Sequence, residues 1–267
     1  AGINFVDTAN VYSTGVSETL LGRALYGKRH DVVLATKVRG RMGTGANDVG
    51  LSRLHIMREV EASLKRLDTD YIDLYQIHRT DPVSNIEDTL RALDDLVRQG
   101  KVRYVGCSNL PAWQLMKALA ISREEGLERF RSTQNYLSLV GRELEWDTIP
   151  LIQDQGLGLL VWSPLAGGFL SGKFTRDMTG EGRRKTFDFP PVDKEKGYDI
   201  VDALAKIAKA RGVSVAQVAL AWVLAQRAVT SVIIGARNLT QLDDNLGAVD
   251  LVLTEEEIRA LDEVSRV

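Results

Sequence analysis

Short apolar, β-branched runs recur along the chain: INFVDT (3–8), VVLATKV (32–38), YIDLYQIH (71–78), VRYVGCSN (102–109), STQNY (132–136), GLLVWSPL (158–165) and SVIIGA (231–236). Between them the apolar spacing lengthens, with Ile56, Val60, Leu64 and Leu67 in one segment and Leu90, Leu93, Leu96 and Val97 in another. Runs of the first kind read as strands, and spacing of the second kind as helices with one buried stripe. The punctuation agrees. Asn85 can cap a helix opening at Ile86, Gly100 can end it, and Pro111 can open the next.

The first six runs begin about thirty to forty residues apart, the length of one β-α unit. Strict alternation of this kind implies parallel strands with helices outside them. No G-x-G-x-x-G follows the first strand, which disfavours an open dinucleotide-binding sheet. After Leu165 the pattern stretches into a long Gly-, Arg- and Pro-containing loop over 165–197, followed by helices predicted over 198–211 and 214–227. Loops that long in compact domains act mostly as lids or clamps. The pattern shows no domain boundary over 1–267, and the fold it predicts is a (β/α)8, or TIM, barrel.

Composition narrows the function classes. The 267 residues are 44% hydrophobic, and 34 basic against 36 acidic side chains leave a formal net charge of −2. That balance gives no electrostatic reason to expect nucleic acid or an anionic membrane as partner. No apolar run approaches the roughly 18 residues of a membrane span. The cluster Arg183-Arg184-Lys185 reads as a solvated loop. One cysteine, Cys107, cannot form an internal disulfide and fits a reducing compartment; within VRYVGCSN it reads as a small apolar strand residue. The cytoplasm is the default location, although the chain does not start with Met and a removed targeting segment stays open. The pattern leaves a homo-oligomer open, and it contains no metal-ligand motif.

A barrel of this type carries its active site at the C-terminal ends of its strands. Here those ends hold Asp7, Lys37, His78, Ser108-Asn109, Gln134, Trp162-Ser163 and Gly235, with Tyr12 five residues past the first strand. Taken singly, Asp7 reads as a cap, Lys37 as a surface residue, Tyr12 as packing and His78 as structural. Together they converge on one mouth. A free tyrosine titrates near 10, but a neighbouring ammonium favours its phenolate, and an aspartate can hold that ammonium in place. Such a phenol can give a proton to a carbonyl oxygen or take one from an alcohol. His78 can orient the same oxygen, so the group suits reversible carbonyl reduction with hydride from a cofactor.

The segments GINFVDTANVYSTGVSETLLGRAL, VVLATKV, YIDLYQIH, VRYVGCSN, STQNYLSL, VWSPLAGGFLSGKF and IIGARNLTQLDDNLGA resemble the aldo-keto reductase superfamily across essentially the whole length. The resemblance implies a catalytic tetrad of Asp7, Tyr12, Lys37 and His78, with Tyr12 as general acid. It also implies a nicotinamide cofactor lying across the barrel mouth without a Rossmann motif. Ser108, Asn109 and Gln134 would hold the carboxamide, and Trp162 would stack on the ring. Leu165, Ser171 and Lys173 match the segment that wraps the pyrophosphate, Ser163, Pro164 and Arg183 are further implied cofactor-binding positions, and the 165–197 loop would clamp the cofactor. Gly235, Arg237, Gln241, Asp244 and Asn245 match the adenosine end. Arg237 can meet a 2′-phosphate with its fork of donors, which favours NADPH/NADP+ over NADH.

The variant WSPL and IIGARN is similar to bacterial reductases related to potassium-channel β subunits. Those subunits commonly have Asn where this chain keeps His78, which favours an enzyme acting on a small carbonyl or alcohol. Two alternatives remain at this stage. One is a catalytically weak NADP(H)-binding regulatory protein; the other is a Schiff-base lyase using Lys37. The resemblance also implies a first strand–helix unit ahead of INFVDTAN, so the expectation is a barrel lacking that unit in this sequence. The first run should then pair with VVLATKV on one side only.

Overall fold

The computed structural model describes residues 2–176, 184 and 187–266. They fall into two compact units, Ala1–Gln134 and Asn135–Val267.

The first unit alternates strand and helix throughout: β1 (Phe5–Asp7), α1 (Val16–Ala24), β2 (Val33–Val38), α2 (Arg53–Leu67), β3 (Ile72–Ile77), α3 (Ile86–Arg98), β4 (Val102–Ser108), α4 (Ala112–Glu125) and β5 (Ser132–Tyr136). Neighbours in sequence pair in parallel, with registers Asp7↔Ala35, Val38↔Ile77, Ile77↔Cys107 and Ser108↔Gln134. Among the described residues of this unit, β1 pairs with β2 alone, as the sequence led us to expect. The apolar stripes are where the spacing put them. Ile56, Val60, Leu64 and Leu67 of α2 and Leu90, Leu93 and Leu96 of α3 are buried, while Val97 is half-buried. Each fully buried side chain of this size contributes about 1.5–3 kcal/mol.

Two local devices set where the helices start. Asn85 accepts from the Glu87 N–H at 3.1 Å and opens α3, while Ser52 accepts from the His55 N–H at 3.3 Å and opens α2. Gly22 of α1 lies where that helix crosses the end of α2. A Cβ there would stand 2.6 Å from the Leu67 carbonyl group, so no larger residue fits. Cys107 is buried in β4, and burial pushes its thiol up to about 12, in keeping with a packing role.

The second unit contains α5 (Thr148–Gln155), β6 (Gly158–Trp162), α6 (Lys194–Arg211), α7 (Val215–Leu224), β7 (Val229–Ile233), α8 (Leu239–Leu246) and α9 (Glu255–Ser265). β6 and β7 are parallel, with a register shift between Leu159 and Leu160. The last strand lies two positions earlier than the run SVIIGA predicts, because Leu159 N–H bonds to the Thr230 hydroxyl and draws Val229 into the ladder. Ile234, Gly235 and Ala236 follow it as connecting chain. The helix predicted from 198 starts earlier, at Lys194, because Asp193 caps it by accepting from the Glu195 and Lys196 N–H groups. Trp222 of α7 is fully buried; its indole N–H donates to Asp262 at 3.1 Å, and the Arg142 guanidinium lies over its ring and donates to the same carboxylate.

Candidate active site

The first unit brings Asp7, Tyr12, Lys37 and His78 together as expected. Lys37, the penultimate residue of β2, is fully buried, and its ammonium pairs with Asp7 Oδ2 and donates to the Thr8 carbonyl at 3.0 Å. An unpaired ammonium in that position would lose most of its hydration, and the ion pair and the carbonyl take the place of that water. Asp7 is held on its other oxygen as well. Its Oδ1 accepts from Gln76 Nε2 at 3.2 Å and from Gln134 Nε2 at 2.8 Å.

Tyr12 is placed by the turn after β1. Asn10 N–H bonds to the Lys37 carbonyl at 3.1 Å, Tyr12 N–H to the Ala9 carbonyl at 3.1 Å, and Thr8 and Ser17 join through their hydroxyls at 2.8 Å. The Tyr12 ring is partly exposed. Lys37 Nζ lies 5.2 Å from its centroid, and the His78 ring meets it edge-on at 5.6 Å. His78 follows β3 and is fixed by its backbone N–H to the Val38 carbonyl at 2.9 Å. Burial, then the positive charges of Lys37, Arg79 and Arg39, push its imidazole down to about 3. At neutral pH it is therefore an uncharged ring, able to donate one hydrogen bond but not to act as a cationic acid.

Ser108, Asn109 and Gln134 form a connected set beside this group. Ser108 Oγ donates to the Gln134 carbonyl at 2.8 Å, and Asn109 Nδ2 donates to Ser108 Oγ at 2.8 Å and to the His78 carbonyl at 3.1 Å. Asn109 has φ 57°, a left-handed conformation that asparagine tolerates better than most residues, and this ends β4 sharply. With its amide nitrogen on Asp7, Gln134 presents its side-chain oxygen as an acceptor.

Residues that the sequence reading passed over support the site from behind. Gln76 is one; a polar residue within the buried stretch LYQI, two positions before His78 and on the same face, was the available signal. The others form a partly buried chain of charges. Glu18 of α1 is fully buried, accepts from the Thr36 hydroxyl at 2.6 Å and pairs with Arg66 at 2.6 Å. Arg66 reaches Ser63 at 3.2 Å and Glu59 at 3.5 Å, and Glu59 accepts from Asn10 Nδ2 at 2.9 Å. The turn that carries Tyr12 is thus fastened to α2.

In the second unit, Trp162 ends β6, stacked on Phe189 at 5.7 Å and tilted against Tyr136 at 5.0 Å. Ser163, at φ 51°, turns the chain, Pro164 is buried, and Leu165 is half-buried. Ala166 N–H returns to the Ser163 carbonyl at 2.7 Å, and Gly168 N–H to the Leu165 carbonyl at 2.9 Å. Ser171 donates to the Gly168 carbonyl at 2.6 Å, and Lys173 is exposed. Arg183 lies outside the described residues. Arg184 corrects the expectation of a solvated cluster. It is buried, donating to the Ala166 carbonyl at 2.7 Å and the Pro190 carbonyl at 2.8 Å, and it pairs with Asp188 at 2.6 Å.

Around α8, Gly235 and Arg237 are exposed. Arg237 N–H bonds to Gln241 Oε1 at 3.0 Å, and Asn238 caps the helix on the Gln241 N–H at 2.9 Å. Asp244 accepts from the Ser214 hydroxyl at 2.9 Å, and its carboxylate and carbonyl both accept from Gln217, so it ties α8 to α7; Asn245 is buried beside it.

Residues 1–266 match the model of the Aldo/keto reductase family. Among curated relatives, the chain is 39% identical to "Uncharacterized oxidoreductase YrpG" of Bacillus subtilis, covering 98% of this chain and 83% of that one. It is 37% identical to versiconal hemiacetal acetate reductase of Aspergillus parasiticus, over 98% of this chain and 82% of that one. It is also 36% identical to a probable voltage-gated potassium channel subunit beta of Oryza sativa subsp. japonica, over 99% and 84%. With its parallel β-α order, its strand-end polar residues and this match along nearly its full length, the chain belongs to the aldo/keto reductase family of oxidoreductases, and its seven described strands follow the strand–helix order of that family's (β/α)8 barrel.

Proposed function

We propose that the protein is an NADP(H)-dependent oxidoreductase that reduces aldehyde or ketone carbonyls to alcohols, with Tyr12 as the general acid. The observation that carries this reading is the position of the Tyr12 ring, 5.2 Å from an ammonium that Asp7 holds in place and edge-on to an uncharged His78.

The donor set fits a nicotinamide cofactor. The Gln134 side-chain oxygen suits the N–H of a carboxamide as an acceptor, with Ser108 and Asn109 fixed beside it. In the second unit, Lys173 and Arg237 are exposed cations suited to phosphate groups, and Arg237 at the start of α8 suits a 2′-phosphate. When bound, the nicotinamide supplies the hydride that reduces the carbonyl carbon. Tyr12 gives its phenolic proton to the carbonyl oxygen, and the Lys37 ammonium favours the phenolate that is left. Asp7 keeps Lys37 aimed through one carboxylate oxygen, and Gln76 and Gln134 keep Asp7 aimed through the other. The neutral His78 donates a hydrogen bond that orients the carbonyl oxygen. In the reverse direction the phenolate takes the alcohol proton.

The experiment is a panel of aldehydes and ketones followed by NADPH absorbance. The named channel-subunit relatives keep a second reading in view, that of a regulatory NADP(H)-binding protein. Tight NADPH binding with no turnover across the panel would select it.

A further inference from the structure

Arg39 stands at the mouth of the first unit and takes no part in the chemistry above. It follows β2, two residues past Lys37, with φ 132°, a region that L-residues rarely adopt. Outliers of this kind persist only where the surroundings enforce them, and they concentrate at ligand clamps and active sites. Its Nε is closed off from solvent and has no hydrogen-bond acceptor, and among the described residues its guanidinium forms no ion pair. Arginine cannot relieve this by losing its proton. A buried donor left in this way calls for an explanation, and a bound anion is one.

The neighbours fix where this cation faces. His78 N–H bonds to the Val38 carbonyl at 2.9 Å, so Arg39 emerges from β2 beside the pair His78-Arg79 at the end of β3. Gly40 then passes so close to the turn before Tyr12 that a Cβ on it would collide with the Val11 side chain. Arg39 is thereby set between the turn that carries Tyr12 and the strand end that carries His78. Arg79 is exposed, adjacent to His78, and also without an ion pair among the described residues.

Among the described residues, the acids nearby form no ion pair with these two cations. Asp7 is paired with Lys37. Asp81 feels the charge of Arg39, but its Oδ2 accepts from the Leu51 N–H at 2.7 Å and the Ser84 hydroxyl at 2.6 Å, and its Oδ1 accepts from the Val83 N–H at 3.2 Å. The lowered pKa of His78 registers both guanidinium groups.

We propose that Arg39, with Arg79 beside it, is a subsite for an anionic group on the substrate, so that the preferred carbonyl compounds carry a carboxylate or a phosphate. This rests on the reductase reading and gives it a substrate class. A guanidinium offers two parallel donors to either anion, and a charge-assisted contact of that kind in a partly closed mouth is worth about ten- to a hundredfold in kcat/KM.

The test compares matched aldehydes with NADPH: para-carboxybenzaldehyde against its methyl ester, and para-formylphenyl phosphate against para-methoxybenzaldehyde. Wild-type protein is expected to favour the anionic member of at least one pair by about tenfold or more, and that preference should shrink as salt is added. Which pair shows the preference distinguishes carboxylate from phosphate. Arg39→Gln should cut the anionic-to-neutral ratio by about tenfold, while Arg39→Lys retains part of it. Equal rates within both pairs in the wild type, or a ratio unmoved by Arg39→Gln, would overturn the subsite while leaving the reductase reading standing. If neither member of either pair is reduced, the reductase reading fails and the subsite with it. Should Arg39→Gln fail to fold, the wild-type ratio, its salt dependence and Arg79→Gln decide the matter.

Discussion

Gln134 donates its side-chain amide to Asp7 Oδ1 at 2.8 Å across 127 positions of chain, and Gln76 reaches the same oxygen at 3.2 Å. Asp7 is thus aimed by two strands other than its own, and through it so is Lys37. Gln76 is fully buried and donates to Asp7, so Gln76→Leu removes the aiming with little change of volume. Turnover is expected to drop about ten- to a hundredfold through misplacement of the ammonium, with NADPH affinity little changed. Unaltered kcat in a folded variant would mean that Gln134 alone suffices.

Tyr12→Phe is expected to lower kcat by about 10²–10⁴-fold and to leave cofactor binding close to wild type. The ring contacts with Lys37 and His78 survive this change, so the loss would belong to the hydroxyl. Near-normal turnover would pass the acid role to another group.

His78 gives a stability signal with a definite sign. Its folded pKa of about 3 lies below the unfolded value of about 6.5, so the unfolded chain binds the proton more readily. Its contribution leaves stability intact above about pH 6.5 and erodes it as pH falls from there toward about 3. Denaturant unfolding of wild type at about pH 7.5 and about pH 5 should show that loss, and His78→Gln should show a smaller one. A pH–rate profile with a limb near 6.5 that disappears in His78→Gln would contradict the neutral assignment.

For cofactor preference, Arg237→Ala is expected to weaken NADPH by about 1.5–3 kcal/mol and NADH much less, because only NADPH carries the 2′-phosphate. Calorimetric titration with both cofactors reads this directly. Equal losses would make Arg237 a structural residue of α8.

Arg66→Met is a stability test. It leaves Glu18, which has no exposed surface, without its ion-pair partner, at a cost of about 3–5 kcal/mol. Adding Glu18→Gln should restore part of that loss. Additive losses in the double variant would argue against a coupled pair.

The sequence made the strand–helix alternation legible because period and punctuation are local. The stripe at Ile56, Val60, Leu64 and Leu67 and the cap at Asn85 needed no tertiary information. The convergence of Asp7, Tyr12, Lys37 and His78 was legible for a related reason, since strand ends in parallel register bring their side chains to one edge. What the sequence hid was long-range partnership. Nothing in the local pattern tells that Arg66 pairs with a helix 48 positions earlier, or that Glu59 holds Asn10 across 49. Arg184 was misread for the same reason. In a Gly-Arg-Arg-Lys stretch it looks solvated, and only the carbonyls of Ala166 and Pro190, which converge on it in space, explain its burial. The shift of β7 by two residues came from the Thr230 hydroxyl, a side-chain contact that hydrophobic spacing cannot register.

The bonds from Asn10 to Glu59 and from Glu18 to Arg66 bear on how this fold can be re-engineered. The turn that carries Tyr12 is not a self-contained cassette. Transplanting residues 8–18 into another barrel would move the tyrosine without its moorings, whereas a graft that carries Glu59 and Arg66 along would bring the turn with its own footing. Conversely, directed evolution of α2 for solubility or packing, although it touches a helix that bears none of Asp7, Tyr12, Lys37 and His78, would be selecting on the placement of Tyr12 at the same time.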